Sequence, residues 1–150
     1  MKTRIAIFLM FTSFVLISCS GQTNKTIDPI IYAESEDPEL EKAKQEALSN
    51  LDYFIESFQS NPTDTIMEYY VKMDFIDNGE HEHMWVFVSK YENEEFSGYL
   101  ANEPEIVKNL KNGQPLEVTK EQIEDWVILD TRTGKKEGDY SSKVLLNQDK

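Results

Sequence analysis

Two histidines, His81 and His83, are the only imidazoles in the chain. They alternate along the run His81-Glu82-His83-Met84-Trp85-Val86-Phe87-Val88. Alternate residues of a β-strand share a face, so both rings stand on one side, a spacing that chelates Zn²⁺ if a third ligand approaches. Only carboxylates such as Asp74 or Asp77 are at hand to complete such a shell. With so few donors the pair reads as a solvated hairpin end, and no metal or other cofactor is expected. Ser97 can be drawn beside His83 and Asp74 as a triad only by choosing the geometry to suit. The chain has no Gly-x-Ser-x-Gly elbow and no glycine-rich phosphate loop, and no catalytic residue is assigned.

These side chains are positioned by a hairpin. Asn78-Gly79 sits between two β-rich runs, Tyr69 to Ile76 and His81 to Val88, and both residues tolerate the positive φ of a type I′ turn. A two-residue turn fixes the register. Phe75 then faces Glu82, Met73 faces Met84, Val71 faces Val86 and Tyr69 faces Val88, an almost wholly apolar side that should be core. On the other side Ile76 meets His81, Asp74 meets His83, Lys72 meets Trp85 and Tyr70 meets Phe87. Opposed pairs are close enough for Asp74 to bond His83 and favour its imidazolium form, and for Lys72 to lie on the Trp85 ring. Tyr70, Lys72, Asp74, His83 and Trp85 are therefore the candidate binding residues, since they combine aromatic area with a few oriented polar groups. The competing reading has Trp126 and the C-terminal tail cover this face, so that Trp85 is core.

The remaining elements follow from periodicity. Asp37 is an N-cap with Pro38 at the first helical position. Leu40, Ala43, Ala47, Leu51, Phe54 and Phe58 then recur at spacings of three and four, as one helix that ends at Asn61-Pro62. A third strand is expected over Glu95 to Leu100, where Gly98 marks a bulge or a close approach. A short helix from Pro104 to Leu110 closes near Gly113, and strands follow at Leu116–Val118 and Trp126–Leu129. Lys120 to Glu124 reads as a turn, and Tyr140 to Leu146 as a terminal helix. The fold class is α+β: an N-terminal helix packed on a curled antiparallel sheet of about five strands, with a short helix between strands three and four. Asp125 reads as a cap for backbone N–H groups.

The beginning of the chain carries a different signal. Lys2 and Arg4 precede an apolar run from Ile5 to Ile17, too short to span a bilayer, and Leu16-Ile17-Ser18-Cys19 follows. This resembles a bacterial lipoprotein signal in which the cysteine is lipidated and becomes the new N-terminus. Residues 1–18 are then the signal peptide, 19–37 a flexible tether and 38–150 a single domain. Acyl chains on Cys19 would anchor the protein stably. Ser20, rather than an acid, is the pattern linked in Gram-negative families with the outer membrane, on its periplasmic side. The chain carries a formal charge of −13. Removing Lys2 and Arg4 leaves 13 basic and 28 acidic side chains, a net of −15. Such a charge excludes nucleic acid as a partner.

Val71-Lys72, Glu82-His83-Met84-Trp85-Val86, Phe96-x-Gly98-x-Leu100-x-Asn102-x-Pro104, Gly113, Ile123-x-Asp125-Trp126 and Gly138-x-Tyr140 appear in that order. Over roughly Ala43 to Leu145 the chain resembles the YegJ-like bacterial family known as domain of unknown function 2314. It departs at the end, where the family's Gly-Gly-aromatic-Thr run is replaced by Gly138-Asp139-Tyr140-Ser141. The resemblance implies a small α+β fold and no particular activity. The functional expectation is a non-enzymatic lipoprotein that binds a protein or small ligand at the cell envelope. The rival is a hydrolase or metal-dependent enzyme using His83 and Asp74.

Overall fold

The computed structural model describes residues 37–60 and 65–148. The expected signal peptide, Cys19, the expected tether before Asp37 and the expected helix stop at Asn61-Pro62 lie outside them. Helix α1 (Pro38–Ser49) and helix α2 (Leu51–Ser60) precede strands β1 (Met67–Asp77), β2 (Glu80–Glu92), β3 (Glu95–Leu100), β4 (Pro115–Thr119), β5 (Ile123–Asp130) and β6 (Lys136–Gly138). Helix α3 (Tyr140–Gln148) closes the order. The strands form one antiparallel sheet in the order β4-β3-β2-β1-β5-β6.

The hairpin register agrees with the turn argument. Asn78 and Gly79 take φ of 52° and 87°, and the pairs run from Tyr70↔Phe87 to Asp77↔Glu80. The expected apolar side is the core. Val71, Met73, Phe75, Met84, Val86 and Val88 bury against Ala47, Leu51, Phe54 and Ile55 of the helices. Trp126, Ile128, Phe96 and Val118 extend that core across β5, β3 and β4. Gly98 lies beside a register shift at Val88/Lys90, and a Cβ there would meet the Phe87 carbonyl oxygen at 2.0 Å.

Three expectations are corrected. The sheet has six strands rather than about five, because Lys136–Gly138 adds to β5. The helical segment begins at Pro38, inside the chain rather than at its N-terminus, and it breaks at Asn50. The Glu46 carbonyl accepts from the Ser49 hydroxyl and the Asn50 amide, and the Ala47 carbonyl accepts from the Trp126 indole at 2.8 Å. Side chains thus take acceptors that a continuing helix needs. No helix forms at 104–110. The N–H groups of Glu105, Ile106 and Val107 donate instead to the Glu82 carboxylate, at 2.7, 3.0 and 2.8 Å. The loop returns through Gly113, whose N–H donates to the Leu100 carbonyl.

Candidate functional site

Side chains on the sheet face away from α2 form rows set by register. Val127, Tyr70, Phe87 and Tyr99 make one, Asp125, Lys72 and Trp85 the next, then Asp74 with His83, and Ile76 with His81. The centre of the aromatic rows is closed, whereas Tyr99 at the β3 end is 47% exposed. Tyr70, Trp85, Val127 and Leu129 form a second buried cluster with Phe87 and Ala101 packed on it. Trp85 is 3% exposed, so its ring is packing and is not offered to a ligand. The cover expected from Trp126 is not the reason, since Trp126 belongs to the core on the opposite face. Tyr70 is buried as well, donates to Glu68 at 2.7 Å, and has its phenol pushed upward by burial and then by that carboxylate.

Lys72 does lie against the Trp85 ring, with Nζ 5.5 Å from the centroid. It also donates to the Ser141 hydroxyl at 3.2 Å, and Ser141 in turn donates to Asp125 at 2.7 Å. Asp125 is 1% exposed and accepts the N–H groups of Tyr140 and Ser141 at the start of α3, as a cap should. Burial raises its pKa despite those bonds. Gly138 and Asp139 before the helix take φ of 79° and 56°. Asp is among the few non-glycine residues that tolerate this region. Gly138-Asp139 thus supplies the left-handed backbone before α3, and Ser141 supplies the hydroxyl that donates to Asp125.

The polar end of the face stays accessible. Asp74 lies opposite His83 as expected, but its Oδ2 pairs with His81 Nδ1 at 2.6 Å. His83 Nδ1 pairs with Glu124 Oε2 at 2.5 Å, and Glu124 Oε1 accepts from Lys44 Nζ of α1 at 3.0 Å. The His81 and His83 side chains are 50% and 44% exposed. Glu124 reaches His83 because β5 carries an extra residue where its pairing with β1 shifts between Lys72 and Met73, and a bulge re-aims a side chain. The Glu124 hydrogen bond raises the His83 pKa against the opposing effect of burial, with a smaller contribution from Asp74. Burial pushes the Glu124 carboxyl up, but His83 and Lys44 outweigh it and hold it low. Asp74 Oδ1 is buried without a hydrogen-bond partner.

The sequence reading missed Glu124, Lys44 and Ser141. Glu124 falls in a stretch that reads as a turn, and only the adjacency of β5 to β1 brings it to His83. Ser97, the remaining member of the drawn triad, donates to Glu117 at 2.7 Å. Among the described residues, no group of three or more His, Cys, Asp and Glu side chains is disposed to hold a metal ion.

The motif residues of the suspected family now have places: Glu82 gathers a loop, His83 meets Glu124, Trp85 and Trp126 fill opposite faces, and Asp125 caps α3. A family model described as an uncharacterized protein conserved in bacteria (DUF2314) matches residues 37–148. An uncharacterized protein, YegJ, of Escherichia coli (strain K12) is 30% identical over 138 residues, 92% of this chain and 86% of that protein. No solved structure matches the chain. With the family model spanning all three helices and every strand of the sheet, the chain belongs to the DUF2314 family.

Proposed function

We propose that the chain is an exported lipoprotein, tethered through Cys19, whose folded domain is a non-enzymatic binding module at the cell envelope. Its recognition surface is the polar corner formed by Asp74, His81, His83, Glu124 and Lys44. The observation that carries this reading is the pair of imidazole–carboxylate couples held by three separate elements at an accessible sheet end, while Tyr70 and Trp85 of the same face are buried. The basic, apolar, cysteine-terminated leader supports the tether.

The test is a photo-crosslinking residue at Ile76, which is 61% exposed and pairs with His81. We expect an adduct in the membrane fraction that is lost when Cys19→Ala releases the chain. Absence of any adduct at Ile76 and at Asp77 removes this corner as the surface. A second reading, a hydrolase or metal-dependent enzyme, draws support from the His83–Glu124 couple, in which a carboxylate orients an imidazole as in a general base. Asp74 is committed to His81 rather than His83, which weighs against it. Turnover abolished in folded His83→Ala would favour the enzyme.

A further inference from the structure

We infer that His81 and His83 together bind one divalent transition-metal ion, of the class that prefers imidazole nitrogen, through their Nε2 atoms. The inference rests on reading the polar corner as the recognition surface and names the ligand chemistry it takes. Both couples use Nδ1, at 2.6 Å from Asp74 and 2.5 Å from Glu124. A carboxylate on Nδ1 holds the neutral ring as the Nδ1–H tautomer, which puts the lone pair on Nε2 at the far side of the ring. The same carboxylate fixes the ring plane and makes Nε2 the better ligand.

The two rings stand on alternate residues of β2, so their Cβ atoms are about 7 Å apart on one face, a span that two imidazoles bridge to a single ion. Both are about half exposed, so water or a partner's side chain can fill the remaining positions. Asp74 and Glu124 come from β1 and β5, the two strands beside and beyond His83, and hold the rings independently of each other. Lys44 spends its charge on Glu124 rather than facing the ion. Two neutral imidazoles make an open and moderate site, with Cu²⁺ preferred over Zn²⁺ by the ordinary order of stability. The absence of a third protein ligand is no obstacle, because the carboxylates act as positioning residues and not as ligands.

The experiment titrates Cu²⁺ into the metal-stripped full-length protein in detergent, followed by calorimetry and by electron paramagnetic resonance. We expect one equivalent with a two-nitrogen hyperfine pattern. His81→Ala and His83→Ala should each weaken it at least tenfold, and the double variant should lose it. Glu124→Ala should weaken binding about tenfold. Glu124→Gln, which keeps an acceptor for Nδ1–H, should restore most of that loss, a rescue not expected of a merely structural role. Zn²⁺ should bind the same site more weakly than Cu²⁺. Undiminished one-equivalent binding in the folded double variant overturns the inference, as does absence of binding in the parent chain. Either result beside an intact Ile76 adduct leaves the recognition surface standing and removes the metal; loss of the adduct alone removes the surface.

Discussion

Glu82 points into the core from the strand position opposite Phe75, where an apolar residue belongs, and it is 3% exposed. A buried carboxylate is costly unless its lone pairs are met, and here three backbone N–H groups meet them. Burial alone would raise its pKa, but those donors outweigh burial and hold it low. Glu82 therefore makes the 105–107 loop part of the fold. We expect Glu82→Gln to cost about 2 kcal/mol and Glu82→Ala more, because each strands buried N–H donors; urea unfolding of the two variants measures both. A negligible loss in Glu82→Gln beside a large one in Glu82→Ala would mean that side-chain volume and not the carboxylate acceptor matters. The sequence marks Glu82 as odd, an acid on the apolar side of a hairpin whose register Asn78-Gly79 sets. Nothing local says which donors it finds, since residues 105–107 read as a helix in their own right. The same holds for His83: its facing residue is legible from the turn, its bonding partner is not.

At the level of elements, the legible parts are those specified by neighbours in the chain. Strand β3 spans Glu95–Leu100, as its β-rich run and the glycine predict, and the turn at Asn78-Gly79 carries the positive φ that a tight hairpin needs, whereas β2 runs past Val88 to Glu92 before a second tight turn at Asn93-Glu94. The illegible parts are set by distant contacts. The break at Asn50 depends on an indole from β5 taking the Ala47 carbonyl, and β6 is three residues long with no alternation to read. Two glycines separate the two kinds of constraint. Gly79 has open space around its Cβ position but φ of 87°, whereas Gly98 has ordinary φ and a carbonyl oxygen 2.0 Å away. We expect Gly79→Ala to cost about 1–2 kcal/mol through backbone strain alone. Gly98→Ala should cost about 3 kcal/mol or more, because β2 and β3 must separate to admit the methyl group. Thermal melts of the two proteins rank them, and the reverse order would contradict the packing of β2 against β3.

For the molecule as a whole, α3 is the piece that closes the chain without joining the main core strands. It packs on α1 and touches β5, and Tyr140 sets its ring edge-on to Trp126 at 5.6 Å. What holds its first turn is Asp125, which takes two N–H groups and the Ser141 hydroxyl, with Lys72 on the same hydroxyl. Asp125→Ala leaves those donors without their acceptor, yet removes a carboxylate whose own burial is unfavourable. The two effects oppose each other in global stability but not locally. We therefore expect only a modest shift in the unfolding midpoint, together with hydrogen exchange in α3 at least tenfold faster and that in β1, β2 and β5 nearly unchanged. Tyr140 leaves the indole edge in the opened form, so Trp126 fluorescence should change before the main transition. Uniform acceleration across the sheet would instead show that α3 is one cooperative unit with the core. Its anchoring by Asp125 would then be an integral part of folding and not a separable latch.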